Sequence, residues 1–266
     1  MRVAFTKMEG CGNDYVFVDA VAAPFPVERG GELATIWSDR HFGIGADGLI
    51  VLSRDGGEGA LRMLMWNADG SRGAMCGNGL RCLARFAEAN GHVNARAFVI
   101  LTDAGPRDVE LLADGLVRTD MGEVRCRPPQ VIDVDGARLE VVPGDAGNPH
   151  AVTFVADVDA APVERVGAAL QRHPAFPDGV NVEFVELVAA DRIRQRTFER
   201  GSGETLACGT GAAVAVAASR QAGNIRGHEA HVDLRGGTLT VVGDGASLAI
   251  VGPARTVFRG EIELPG

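Results

Sequence analysis

The sequence predicts an α+β fold made of two pseudosymmetric halves, each a curled antiparallel sheet wrapped on a helix. Three observations carry this expectation. Two cysteine-glycine segments, Cys76-Gly77-Asn78-Gly79 and Cys208-Gly209-Thr210-Gly211, stand 132 positions apart, each followed by a run suited to a helix. Two further pairs of landmarks recur in the same order at nearly the same offset. Between them lie short alternating apolar runs punctuated by glycine and aspartate turns, the pattern of half-buried strands.

Taken in order, Gly12-Asn13-Asp14-Tyr15 precedes the apolar run Val16-Phe17-Val18, as Gly147-Asn148-Pro149-His150 precedes a second apolar run, at an offset of 135. Gly48-Leu49-Ile50-Val51-Leu52 is answered by Asn181-Val182-Glu183-Phe184-Val185 at 133. Alternation predicts strands over residues 60–65, 97–102, 107–112 and 116–121, and again over 192–198, 231–234, 239–242 and 247–251. The helix-forming runs are Leu80 to Ala87 and Ala212 to Ala218, and they stop near Gly91 and Gly223. The second is apolar nearly all round and is expected to be buried. The halves are drawn as residues 1–118 and 119–252, with a strand in 253–266 returning to the first.

With 266 residues, 46% of them hydrophobic, the chain has material for a full core, and 36 glycines without a fixed period read as tight turns. A net charge of -9 speaks against a nucleic-acid partner, since phosphate binding wants a dense basic field. No apolar stretch is long enough for a membrane span, and the N-terminus runs straight into strand-like chain, so the expected location is the cytoplasm. Five cysteines, an odd number in a chain too large to need staples, read as thiols in a reducing compartment. Lys7 is the single lysine. A pyridoxal phosphate enzyme would have to form its Schiff base there, so chemistry at an amino-acid alpha carbon is expected to proceed without that cofactor.

Cys76 and Cys208 each sit at the start of a helix, where unpaired backbone N–H groups stabilise a thiolate. The glycines that follow let an anionic group approach bare amides. A lone cysteine in such a place is usually packing; a pair in a repeated frame suits inversion at carbon, one sulfur taking a proton and the other delivering one. A disulfide between them uses the same proximity and stays open at this point. The segments leading into the two cysteines differ: Asn67-Ala68 in the first half corresponds to Glu199-Arg200 in the second. Arg200 can fork a carboxylate and Glu199 can hold an ammonium, while Asn13, Asn67, Asn148 and Asn181 can complete the hydrogen bonds or merely make turns. His150 can assist proton transfer or orient Glu199. His228 and His231 with Glu229 and Asp233 have no completing ligand, so no metal site is expected. The segment from Gly43 to Gly48 looks like a nucleotide loop but lacks its flanking strand and helix, and it has no Lys-Ser/Thr.

These segments, from Gly12-Asn13-Asp14-Tyr15 through Asn67-Ala68-Asp69-Gly70-Ser71 and both cysteine motifs to Glu199-Arg200-Gly201-Ser202-Gly203-Glu204-Thr205, closely resemble the diaminopimelate epimerase family across nearly the whole chain. The resemblance implies two pseudosymmetric domains, each an antiparallel barrel-like sheet around a central helix, in a homodimer. It implies a cofactor-independent enzyme interconverting LL- and meso-diaminopimelate, with Cys76 and Cys208 as acid/base thiols and His150 and Glu199 close by. Gly77, Asn78, Gly209 and Thr210 would cradle the reacting carboxylate. Asn67, Asn148, Asn181, Glu199 and Arg200 would hold the distal head, with Asn13 near the reacting centre. The rival readings are a racemase of the same fold and a non-enzymatic thiol switch.

Overall fold

The computed structural model describes residues 1–55 and 59–265, and the chain divides into two compact units, Met1–Thr119 with Gly252–Gly266, and Asp120–Val251. The first unit runs β1 (Arg2–Gly10), β2 (Asn13–Asp19), α1 (Gly30–Ser38), β3 (Gly48–Asp55), β4 (Ala60–Asn67), β5 (Arg72–Gly73), α2 (Gly77–Ala89), β6 (Ala97–Thr102), β7 (Gly105–Leu111) and β8 (Val117–Glu123). The second runs β9 (Arg125–Cys126), β10 (Gln130–Val134), β11 (Ala137–Asp145), β12 (Pro149–Phe154), α3 (Val163–Leu170), β13 (Asn181–Ala189), β14 (Arg192–Glu199), β15 (Gly203–Thr205), α4 (Gly209–Gln221), β16 (Glu229–Leu234), β17 (Gly237–Val242) and β18 (Ser247–Gly252). The last strand, β19 (Arg255–Glu263), pairs antiparallel with β1.

The two units repeat one connectivity. In the first, β2 pairs parallel with β3 through α1, β3 pairs antiparallel with β4, and β4 pairs parallel with β6 through α2. In the second, β12 pairs parallel with β13 through α3, β13 antiparallel with β14, and β14 parallel with β16 through α4. The sheets are therefore mostly antiparallel with two parallel joins each. The joins arise because a helix between two strands carries the chain back to its starting edge.

Period-two alternation decides what each strand buries. Tyr15, Phe17, Ile50, Leu52, Met63 and Met65 face α2, which contributes Leu80, Leu83, Ala84 and Ala87 to the inner core. Their neighbours Val16, Val18, Leu49, Val51, Leu64 and Trp66 face the other way and pack with Leu33, Ala34 and Trp37 of α1. In the second unit Val182, Phe184, Ala151 and Phe198 pack with Val163, Val166 and Leu170 of α3. The alternate residues of those strands are left for the face of α4, whose residues Ala212 to Val216 are all fully buried.

Backbone geometry fixes the start of the first site. β1 turns into β2 through Cys11 and Gly12, both left-handed at φ 53° and 79°. That is the two-residue turn whose twist matches a hairpin, and it normally carries Asn-Gly because a side chain is strained at its first position. The turn sets Asn13 at the head of β2.

Candidate functional site

Cys76 is the N-cap of α2, with extended backbone, and its sulfur accepts a hydrogen bond from the Gly79 amide at 3.4 Å. It also donates to Asn13 Oδ1 at 3.3 Å. Asn78 Nδ2 donates to the same oxygen at 3.3 Å, so Asn13, Cys76 and Asn78 form one cluster at the helix start. Asn67 is placed differently: at the end of β4, its amide donates to Ser71 Oγ at 2.9 Å within the Asp69–Ser71 turn.

Cys208 is the N-cap of α4 in the equivalent position, buried, with Thr210 Oγ1 3.5 Å from its sulfur. Burial pushes its thiol well above the usual range, and the carboxylates of Glu199 and Glu183 push in the same direction, against the Thr210 hydroxyl and the Gly211 amide. Glu199 closes β14 and accepts from Thr205 Oγ1 at 2.6 Å. Burial raises its carboxyl too, opposed by hydrogen bonds from Thr205 and Cys208. The arrangement favours a neutral thiol beside a carboxyl that holds its proton more tightly than usual.

His150 and Glu183 lie behind this thiol. His150 stands opposite Asn181 in the parallel β12–β13 pairing, and its Nδ1 meets Glu183 Oε1 at 2.8 Å. Its Nε2 meets Asn148 Oδ1 at 3.0 Å. Asn181 Oδ1 accepts from the Arg200 backbone amide at 2.9 Å, while its Nδ2 donates to the Pro149 carbonyl. Arg200 directs Nη1 to the Asp178 carbonyl at 3.1 Å. Of the sequence-predicted residues of the second half, Asn148 bonds His150, Asn181 holds the backbone at Arg200, and Glu199 and Thr210 meet Cys208 at the start of α4, whose first residue is Gly209.

Three participants escape the sequence reading. Glu183 sits within an apolar strand segment, yet period two puts it on the face of Asn181 rather than that of Val182 and Phe184. Asp47 and Arg81 bracket the Asn13–Asn78 cluster: Asp47 Oδ2 accepts from Asn13 Nδ2 at 2.6 Å, and Arg81 Nη2 donates to Asn78 Oδ1 at 2.8 Å. A charged residue inside an otherwise apolar run is the signal that could have found Glu183 and Arg81.

The remaining cysteines are packed. Cys82 is fully buried in the inner core, which pushes its thiol up to about 12, and burial raises Cys11 as well. Cys126 is raised to about 11 by burial, with Glu183 adding to it. None of the five cysteines is joined in a disulfide. Among the described residues no three His, Cys, Asp or Glu side chains group in a metal-binding arrangement; His228 pairs with Asp244 and His231 meets Thr240. No described helix is long and apolar enough to cross a membrane. A cavity of about 370 Å³ lies on β6, β7 and β8, lined by Phe98, Val99, Glu110 and Arg118 among others, and neither Cys76 nor Cys208 lines it.

Solved structures share this fold. A phenazine biosynthesis protein of the PhzF family from Bacillus anthracis superposes with a TM-score of 0.79 over 99% of this chain and 100% of its own, at 16% identity. A probable proline racemase from Agrobacterium radiobacter K84, with bound carbonate, gives 0.75 over 99% of this chain and 93% of its own, at 17% identity. The α+β fold of two units, each with a sheet around a helix, is therefore shared with these structures. The sequence model described as diaminopimelate epimerase matches residues 5–126 and 144–257. Diaminopimelate epimerases from Leptospira biflexa and Azoarcus sp. are 40% and 42% identical, covering 99% and 100% of this chain and 100% of each relative. The chain belongs to the diaminopimelate epimerase family.

Proposed function

We propose that this protein interconverts LL- and meso-diaminopimelate by moving a proton at the alpha carbon, without a cofactor, using Cys76 and Cys208 as the two acid/base groups. The observation that carries the reading is the repeated helix start: in a member of this family, each unit begins a buried helix at Cys-Gly-x-Gly with the cysteine as N-cap.

Inversion by two bases needs one group to remove the proton from one face of the carbon and a second to deliver a proton to the other. A thiolate takes the alpha proton and becomes a thiol. The electron pair left on carbon spreads into the adjacent carboxylate, and the opposite thiol gives up its proton to carbon and becomes the thiolate. No net proton is consumed, and the sulfurs have exchanged states. Backbone amides of Gly77 and Asn78, and of Gly209 and Thr210, meet the charge that develops on the carboxylate, since helix starts offer N–H groups without internal partners. Glu199, raised by burial and bonded to Cys208, assists the transfer at that sulfur. His150 keeps the polar cluster behind it ordered. Arg200, with Asn67, Asn148, Asn181 and Glu199, grips the distal amino-acid head, which a one-headed amino acid would leave unpaired. The protein is expected to work as a cytoplasmic homodimer, which light scattering of the purified chain tests.

The test of the function is incubation of purified protein with LL-diaminopimelate in buffer free of pyridoxal phosphate and metal. Appearance of the meso isomer supports the reading. Turnover of proline or hydroxyproline with no action on diaminopimelate overturns it in favour of a racemase.

A further inference from the structure

Two charged side chains at the first site remain without a role in the scheme above. Arg81 is wholly buried, bonded through Nη2 to Asn78 Oδ1 at 2.8 Å and through Nε to the Pro253 carbonyl at 3.2 Å. Asp47 accepts from Asn13 Nδ2 at 2.6 Å, from the Asp14 backbone amide at 3.1 Å and from Arg40 Nη2 at 2.9 Å.

A carboxylate only accepts hydrogen bonds and a guanidinium only donates them. Asp47 therefore compels the Asn13 amide to turn its NH2 toward the carboxylate, which leaves Asn13 Oδ1 pointing at Cys76. Arg81 compels Asn78 to turn Oδ1 toward the guanidinium, which leaves Asn78 Nδ2 to donate to that same Asn13 oxygen. Both ends of the chain agree, so neither amide can flip without breaking a charge-assisted bond, the stronger kind. The Cys76 sulfur then faces a carbonyl oxygen at 3.3 Å, a partner for S–H and not for S⁻. The Gly79 amide at 3.4 Å works in the opposite sense, so the sulfur lies between one group that favours the thiol and one that favours the thiolate.

We propose that Asp47 and Arg81 are positioning residues for the epimerase reaction: through the side-chain amides of Asn13 and Asn78 they fix a carbonyl oxygen against Cys76 and hold its sulfur as the proton-carrying thiol until substrate arrives. The catalytic meaning of the relay rests on the function proposed above; the relay itself does not. The other charged and titratable groups at this end of the unit are Arg40 and Lys7, paired to Asp14, together with Glu9, Cys11, Cys82 and Arg255. The Arg81 charge also acts on the Cys76 sulfur directly, in favour of the thiolate and against the effect of the orientation it imposes on Asn78.

The test reads Cys76 alone, in the substrate-free full-length protein, as the rate of alkylation by iodoacetamide from pH 6 to 10, with the modified peptide quantified by mass spectrometry. Asp47→Asn replaces the charge-assisted bond to the Asn13 NH2 by a neutral one and loosens the amide while Asn78 still holds its oxygen, so alkylation below the plateau accelerates by about threefold, a shift of about half a pH unit. Asn13→Ala removes the oxygen altogether and accelerates alkylation more, by about tenfold. The relay requires the double variant Asn13→Ala with Asp47→Asn to be no faster than Asn13→Ala by itself, because Asp47 acts only through Asn13. An unchanged profile in Asp47→Asn, or additive effects in the double variant, would overturn the proposal, the latter by showing that Asp47 acts as a plain charge. Failure of the wild-type protein to convert diaminopimelate, with the alkylation pattern as expected, faults the function and leaves the relay standing.

Discussion

His150 Nδ1 lies 2.8 Å from Glu183 Oε1, and neither side chain reaches solvent. The second carboxylate oxygen has no hydrogen-bond partner among the described residues, so this one bond anchors the glutamate. Glu183→Ala leaves a buried ring nitrogen unpaired and is expected to cost about 1–3 kcal/mol, whereas Glu183→Gln keeps the shape and costs less. Denaturant melts check this, and equal stability of Glu183→Ala and wild type contradicts it. Because the Glu183 carboxylate also raises Cys208, Glu183→Gln should let that thiol alkylate at lower pH.

The pseudo-equivalent glycines Gly79 and Gly211 are not equivalent in space. A methyl group added at Gly211 would stand 2.6 Å from Glu183 Oε1, and one added at Gly79 would stand 2.5 Å from Ile50 Cδ1. The end of an isoleucine can shift; a carboxylate held by His150 cannot do so without losing its bond. Gly211→Ala should therefore cost about 1–3 kcal/mol and Gly79→Ala less. Thermal melts of the two variants decide, and the reverse order contradicts the account.

Much of this was legible in sequence, and the particular residues show why. The Gly-x-Gly after each cysteine marked the helix starts, because a helix whose first amides approach a ligand leaves a local pattern. The two faces of β2 and β3 were readable from alternation alone, with Phe17 and Ile50 on one side and Val16 and Leu49 on the other. The parallel direction of β2 against β3 was not, since alternation is the same in either direction. Nor was the partnership of Glu183 with His150: it joins residues 33 apart across a sheet, and a pairing of that kind depends on register. Asp47 and Arg81 hid in segments read as a loop and a helix face, because their role exists only through two intervening amides. The bond from the Asn67 amide to Ser71 was not legible either, because it depends on the conformation of its own turn.

Stability should depend on pH through Glu199. Burial raises its carboxyl above the ordinary value of about 4.3, so the folded protein binds this proton more tightly than the unfolded chain does. The contribution is fully present below the ordinary value and is lost as pH rises through the raised one. Glu199→Gln removes the titration, so its melting temperature relative to wild type should be higher above that window than below it. A difference that stays constant from pH 3.5 to 8 contradicts the assignment.

Each thiol should be indispensable for inversion. Removing a general acid or base costs about 10²–10⁴-fold in rate, and Cys76→Ala and Cys208→Ala should each fall by that much, with the circular dichroism of the folded protein kept. Because the two groups serve one proton path, the double variant should be little worse than either single one. Normal inversion by either single variant contradicts a two-base path.

The most direct test of that path is the early fate of deuterium when the protein turns over LL-diaminopimelate in heavy water. With two bases, the abstracting sulfur keeps the substrate's proton while the opposite sulfur supplies one from solvent. The account predicts that meso product carries one alpha-deuterium from the first turnovers, while the remaining LL substrate stays unlabelled. Equal labelling of product and remaining substrate at the outset would point to a single exchanging base and contradict the paired roles of Cys76 and Cys208.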